Sequence, residues 1–591
     1  MHSPKRRRAA VACNYCRKRK RKCDGGRPAC SLCEEVGNPC EYREVEPPRN
    51  ASVPLDQLSS ILDRLEALER RADGPTTTDQ TDSSRQYPES AQFILGEDFG
   101  LGSAETPDVA PSLAPTPLNS AGLNTTMAIP LSHSTTTGNL LRSAPARALL
   151  GDYPQDIFLH VELGRSVPAS LSLTPEPLNQ VEIPAISRDE ADELMDKFFK
   201  FVHRFYPILD EDEFRSTYHD VFIQGLAPNL ATAMVLIVLA LGSVSDADYE
   251  GSASWEPGSR FSSPAVSILL TVGLESFGGS LLLPQSLYLA AIYYSFLGRP
   301  LPAWRLVHMA STEVQHYWIR KLDSLNDAQA SAQGQLILRL CWAIFILECD
   351  IVAEHHFPRS GIDNVVEQLP FPGFSNTPEP PMLRWLANIS SRRLLNRIHY
   401  VLYDTYQGVK TSVDSSSGAP TSQFGISQEL NRQLHAWYDL LPPAIKPDLD
   451  HDEHGLDDSI LLMRFHAAGD IIHRPFLLQV CALPSGETTP DARMVENAKM
   501  CLYHCRGYLG AVQGVLRKPS ASLEIFTHST MAVVLLLTFA SFSPPLAPDL
   551  QDVKELQAQG ASILQKWSFP ESSIETMLSI VRTVRVKCLG R

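Results

Sequence analysis

The sequence predicts a mainly α protein: a small cysteine-dense module, a short coiled-coil helix, a disordered linker and one large all-α domain. Three observations predict it. From Ser187 onward, apolar segments at helical spacing alternate with Pro, Gly and Ser loops, and alternating strand patterns are scarce. Six of the twelve cysteines crowd into residues 13–40. Between these regions, Thr, Ser, Pro and Gly take the place of the apolar residues that a core requires.

Length and composition agree with several units in one chain. The 591 residues are about four times an average domain length. Apolar residues make up 43% and aromatic residues 8%, enough to bury a core. The longest apolar runs, at 233–241 and 531–537, are far short of the about 20 residues of a membrane span, so they read as buried helices. The opening MHSPKRRRAA has no apolar stretch of the secretory kind, and a soluble intracellular protein is expected. Net charge is −15 but unevenly placed. Residues 1–49 hold 13 Lys/Arg against 6 Asp/Glu, or +7, leaving 39 against 61, or −22, for the rest. A basic head on an acidic body suggests a polyanion-binding module joined to something else.

The first unit, 1–45, is defined by Cys13, Cys16, Cys23, Cys30, Cys33 and Cys40, spaced C-x2-C-x6-C-x6-C-x2-C-x6-C. The spacing splits into two similar halves of three thiols. Three thiolates leave a zinc ion one ligand short of tetrahedral coordination. Two zinc ions sharing two bridging thiolates close that gap, because six sulfurs then fill eight positions. Formal charge at such a cluster is two negative, which the neighbouring cations also balance. Without a secretory signal, metal binding is favoured over disulfides. Between Cys16 and Cys23 run Arg17, Lys18, Arg19, Lys20, Arg21 and Lys22. Six adjacent cations repel one another unless a polyanion is present, and a nucleic-acid backbone supplies one. Lys5, Arg6, Arg7 and Arg8 read as a nuclear import signal.

Residues 46–54 are a polar, Pro-containing connector. Residues 55–73 place Leu55, Leu58, Ile61, Leu62, Leu65 and Leu68 in heptad-like spacing, in either of two registers, and are expected to form a short dimerisation helix. Residues 74–186 read as disordered linker, with an ordered patch near 152–159. Within them, residues 93–99 mix acidic and apolar side chains in the manner of a coactivator-recruiting segment, although a plain linker has the same composition. The all-α domain is expected over 187–591, opened by a Ser187/Glu190 capping box. Its clearest helices fall at 231–241, 284–294, 304–318, 335–352, 460–479, 495–509 and 529–542, with a flexible loop at 408–425.

The stretch ACNYCRKRKRKCDGGRPACSLCEEVGNPCEY closely resembles the fungal Zn(II)2Cys6 binuclear-cluster DNA-binding domain, over about 30 of the 591 residues. The resemblance implies that Cys13 and Cys30 bridge the two ions. One zinc would be completed by Cys16 and Cys23, the other by Cys33 and Cys40. It also implies that the first short helix sits at the major groove over a CGG-like triplet. Lys20 would touch the base, Arg19 would share in this, and Arg17, Lys18, Arg21 and Lys22 would hold phosphates. Pro28 matches the proline that turns the loop between the halves. The segments FFKFVHRFYPILDEDEF, LGRPLPAWRLVHMA, RLCWAIFILECDIVAEHHFPRSGI and IIHRPFLL resemble the fungal transcription factor regulatory, or middle homology, domain. Two positions depart from that pattern: Glu348-Cys349 replaces an Asp-Arg pair, and His356-Phe357-Pro358-Arg359 replaces a Gly-Arg-Pro turn.

No phosphate loop, dinucleotide fingerprint, nucleophile elbow or H-E-x-x-H stretch is present, so no enzyme is expected. His355 with His356, His466 with His473, and Cys501, His504 and Cys505 are read as core or surface residues rather than metal sites. The expected function is a nuclear, homodimeric regulator of RNA polymerase II genes that binds double-stranded DNA. Coactivators and a small-molecule effector of the helical domain are its further expected partners. The competing reading is a zinc-dependent scaffold that binds RNA or protein without reading DNA.

Overall fold

The structure is a computed structural model. It describes residues 16, 19, 23, 29–40, 129, 133–249, 255–321, 331–373, 379–403, 420–449, 455–483 and 490–589. Residues 1–54 and 55–591 form two separate units. Among the described residues every regular element is helical.

In the large unit, chain ends and caps follow local chemistry. Helix α5, Arg188–Phe198, starts where the Ser187 side chain accepts a hydrogen bond from the Glu190 N–H at 3.2 Å. Only this half of the expected capping box forms, because the Glu190 carboxylate pairs with Arg260 instead. Asp210, Asn229 and Ser331 cap α6, Glu211–Gln224, α7, Leu230–Ser245, and α11, Ala332–Val352, in the same manner. Each of the seven helices expected from the sequence lies within an observed helix, apart from the final residue, Phe542, which is the cap of α17, Leu523–Ser541. Helix α17 is long and apolar enough to cross a membrane, yet 83% of its most apolar window is buried by the rest of the domain. It is a core helix. Helix α7 packs on α5 so closely that a Cβ on Gly242 would lie 2.0 Å from the Leu194 carbonyl oxygen.

The core has three parts. One is built on α5–α11, with α8, Ser259–Glu275, α9, Leu282–Phe296, and α10, Pro300–Lys321, packed beside α7. A second joins α15, Leu456–Ala482, α16, Ala492–Val515, and α17 to α18, Val553–Lys566, and α19, Ser573–Leu589. A third lies among α13, Pro380–Tyr403, α14, Pro420–Asp439, and α15. Helix α14 begins at Pro420, so the end of the expected loop at 408–425 is helical.

The linker expectation fails over residues 133–186. These form α2, Thr137–Leu141, α3, Ala144–Leu150, α4, Ile157–Gly164, and two single 3-10 turns. Leu140, Leu141, Leu149 and Phe158 are buried in the second core, and Leu171 in the first. Polar groups fasten the same segment over long sequence distances. Thr137 donates to the Glu354 carboxylate through both its N–H and its hydroxyl, each at 2.8 Å. Arg165 donates to the Gly298 carbonyl at 2.6 Å, and Ser573 donates to the Glu162 carboxylate. These contacts supply the burial that offsets the ordering entropy of a Ser/Thr/Pro-rich segment.

At the centre, Asp350 of α11 accepts from two arginines. Its Oδ1 meets Arg392 and Arg464 at 3.0 Å each, and its Oδ2 meets Arg464 at 2.8 Å. Burial alone would raise this carboxyl, but the Arg464 charge and hydrogen bonds, with those of Arg392, hold it below its ordinary value.

Candidate metal centre and nucleic-acid interface

Among its described residues the small unit has almost no apolar interior. Cys16, Cys30 and Cys33 are buried there, with Cys23, Leu32 and Cys40 packed against them half-buried. A segment this poor in core depends on a staple. The one regular element described here is α1, Ser31–Val36. Cys30 stands at its N-cap in extended conformation, which aims the Cys30 and Cys33 side chains inward together. The helix stops at Gly37, whose φ of 67° suits glycine. The Asn38 N–H then returns to the Cys33 carbonyl at 3.0 Å, and the turn brings Cys40 back beneath Cys30. The Cys30 N–H donates to the Cys40 sulfur at 3.2 Å.

The sulfurs form two groups. Cys16, Cys23 and Cys30 lie within 4.8 Å of one another, and so do Cys30, Cys33 and Cys40. Cys30 belongs to both. The Cys16 and Cys30 sulfurs are 3.6 Å apart. A disulfide needs about 2.05 Å, whereas two sulfurs on one tetrahedral zinc, at bonds of about 2.3 Å, are separated by about 3.8 Å. The donors therefore fit zinc in number, type and spacing. The Cys30 N–H that donates to the Cys40 sulfur is a contact of the kind that stabilises a thiolate.

Five of the six sequence-selected cysteines are thus brought together, while Cys13 lies outside the described residues. So do Arg17, Lys18, Lys20, Arg21, Lys22, Pro28, the import signal expected at residues 5–8 and all six apolar positions of the expected dimerisation helix. Arg19 is exposed, as a contact to a polyanion requires. Gly37 was not singled out from the sequence. A glycine just past a short helical stretch, followed by Asn38, was the signal that marks this turn.

The other sequence candidates divide. His466 and His504 each lie against a glycine of the facing helix, where a Cβ on Gly507 or Gly469 would come within 2.2 or 2.3 Å of the ring. They face each other with Nδ1 atoms 3.2 Å apart, and His473 meets Asn497 and Asn431. These are packing residues. Cys501 and Cys505 approach Asp470, whose charge is already met by Arg474. Burial pushes both thiols up, so they stay protonated. His356 contacts the His133 carbonyl at 3.2 Å, and His355 is buried beside Glu524.

Comparison with known proteins agrees with the cysteine geometry. Residues 11–49 match the family described as the fungal Zn(2)-Cys(6) binuclear cluster domain. A putative transcription factor, ecdB, of Aspergillus rugulosus is 26% identical over 462 residues, covering 75% of this chain and 72% of its own length. The transcription factor FBD3 of Gibberella moniliformis is 23% identical over 527 residues, covering 80% of this chain and 69% of its own. An ABC-transporter-regulating transcription factor of Aspergillus fumigatus is 44% identical over 70 residues, only 11% of this chain and 8% of its own. No solved structure matches. With its cysteines clustered in the matched segment and similarity to fungal transcription factors reaching far beyond it, the chain carries a Zn2Cys6 zinc-binding module and is a DNA-binding transcription regulator rather than an enzyme.

Proposed function

We propose that this regulator acts on RNA polymerase II genes in the nucleus and reads CGG-like triplets as a homodimer, with two zinc ions in each cysteine module. The observation that carries the reading is Cys30, which stands in both sulfur groups. A thiolate shared between two ions is one of the two bridges that a six-sulfur binuclear centre needs to complete both tetrahedra. The zinc ions would fold the module and fix Cys16 and Cys23, so the six cations between them are presented as one rigid turn. Lys20 then donates to a guanine edge, with Arg19 beside it, and Arg17, Lys18, Arg21 and Lys22 meet phosphates. One module reads about three base pairs, too few to select a genomic site, so two modules joined through residues 55–73 multiply the selectivity.

The helical unit is the regulatory part, corresponding to the fungal middle homology domain and beginning at about residue 133 rather than 187. It contains a cavity of about 240 Å³ lined by Tyr206, Arg384, Trp385, Asn388 and Phe526, with Asp350 and Arg464 among its walls. Apolar walls with a few fixed polar groups suit a small-molecule effector. Selection of bound duplexes from a random pool by the full chain tests the central reading. Enrichment of paired CGG-like triplets is expected. A preference for RNA, or no enriched sequence, would support a zinc-dependent scaffold instead.

A further inference from the structure

We propose that the helical unit holds a divalent-cation site of its own, suited to zinc, formed by His355, Glu524 and His528. The site is independent of the cysteine module. Glu524 and His528 are four residues apart on α17 and therefore share one face of that helix. His355 reaches them from the turn that follows α11. The Glu524 Oε1 lies 3.1 Å from the His528 Nε2 and 3.5 Å from the His355 Nε2. A tetrahedral zinc with bonds of about 2.0–2.1 Å separates its ligand atoms by about 3.3 Å. The two distances bracket that value, and one atom from each of the three residues falls within a common 4.8 Å.

Two atoms distinguish this cluster from an ordinary buried ion pair. The Glu524 Oε2 is buried and has no hydrogen-bond partner, and the buried His355 Nε2 makes its 3.5 Å approach to the Glu524 Oε1 without hydrogen-bond geometry. His355 is only 2% exposed. A proton held by His528 between two carboxylates accounts for the His528 contacts but leaves these two atoms unsatisfied. A cation bound by both imidazoles and by the Glu524 carboxylate, whose two oxygens share one coordination position, satisfies them with three protein ligands. The surroundings also fit. The other nitrogen of His528, Nδ1, lies 3.3 Å from the Glu354 carboxylate and 2.6 Å from the Thr137 hydroxyl. Carboxylates in this position orient imidazole ligands on metals. Glu354 is in turn fixed by the N–H and hydroxyl of Thr137. Ser573 donates to the Glu524 Oε1 at 2.9 Å, and the Phe158 ring stands edge-on to His528 at 4.9 Å, covering that side of the site. Imidazole and carboxylate donors in this number favour zinc over calcium or magnesium, which take six or more oxygens.

The test is metal content of the full chain after equilibration with zinc and removal of loose metal, in two variants. With Cys16, Cys30 and Cys33 all changed to Ser, the cysteine module no longer holds metal, and one equivalent of zinc is expected to remain. Adding His355→Gln and Glu524→Gln is expected to remove it. Cobalt in the remaining site should show weak visible bands without the sulfur-to-metal absorption of the cysteine module. Anomalous scattering at the zinc edge from crystals of the unaltered chain gives a reading that needs no variant, with a peak expected between the three side chains. No retained zinc in the triple-Ser chain together with no such peak would overturn the proposal. So would retained zinc that is indifferent to His355→Gln and Glu524→Gln.

Discussion

Removing the carboxylate of Asp350 should be among the most damaging single changes available in the helical unit. Asp350→Ala deletes three charge-assisted hydrogen bonds, two to Arg464 and one to Arg392. Such bonds contribute about 1.5–3 kcal/mol each, or a gross loss of about 5–9 kcal/mol. Part is offset, since Arg464 keeps Asn388 at 3.0 Å and Arg392 keeps Asn396 at 2.8 Å. Both guanidiniums nevertheless stay buried, at 1% and 7% side-chain exposure, with no counter-charge. A net loss of about 3–5 kcal/mol follows, the usual result of breaking one side of a buried pair. All seven tryptophans lie at or beyond Trp255, so their fluorescence during denaturant unfolding reports this unit alone. Replacing the whole group, Asp350→Leu with Arg392→Met and Arg464→Met, should recover most of the loss, because no buried charge is then stranded. A change within about 0.5 kcal/mol for Asp350→Ala, the scale of a surface substitution, would show that the two arginines do not depend on Asp350. So would a triple variant as unstable as the single one.

Lys20→Ala should cost about 1–3 kcal/mol of discrimination between matched and scrambled duplexes, whereas Lys18→Ala should weaken both alike and lower the salt slope by about 0.9; titrations across a salt series separate the two. Leu58→Asp with Leu65→Asp should abolish tight binding to a two-half-site duplex and leave weak binding in place, as read by the size of the protein–DNA complex. Burial pushes the His203 and His473 imidazoles down to about 4. Their folded values lie below the unfolded value of about 6.5, so their contribution is present above that pH and is lost as pH falls from 6.5 towards 4. Unfolding midpoints of the helical unit should therefore drop across that window, and a flat profile would contradict it. Native mass measurement of residues 1–50 should find two zinc ions, whereas one ion with two alkylatable thiols would reject the shared-thiolate reading.

How much of this was legible beforehand depends on the range of the interactions. The cysteine spacing could be read because its ligands lie within a few residues of one another and the same spacing occurs in both halves. Ser187 and the apolar run at 233–241 were legible for the same reason, as caps and burial patterns are local signals. Residues 133–186 were not legible. Their apolar side chains, Leu140, Leu141, Leu149 and Phe158, follow no sustained period, and their order rests on partners far along the chain, such as Glu354 for Thr137 and Ser573 for Glu162. The His355, Glu524 and His528 cluster was hidden likewise. Glu524 and His528 show an i,i+4 pair, but its third member is 169 residues before Glu524 and nothing local connects them.

If zinc-held cysteines present the cations of residues 17–22 to DNA, binding must depend on the metal. Footprinting of the full chain on a duplex with two CGG-like triplets, before and after zinc removal, reads that dependence. Protection over both triplets is expected with zinc present, loss of that protection when zinc is stripped, and its return on adding zinc back. Protection that survives metal removal, or that falls equally on a scrambled duplex, would contradict the claim.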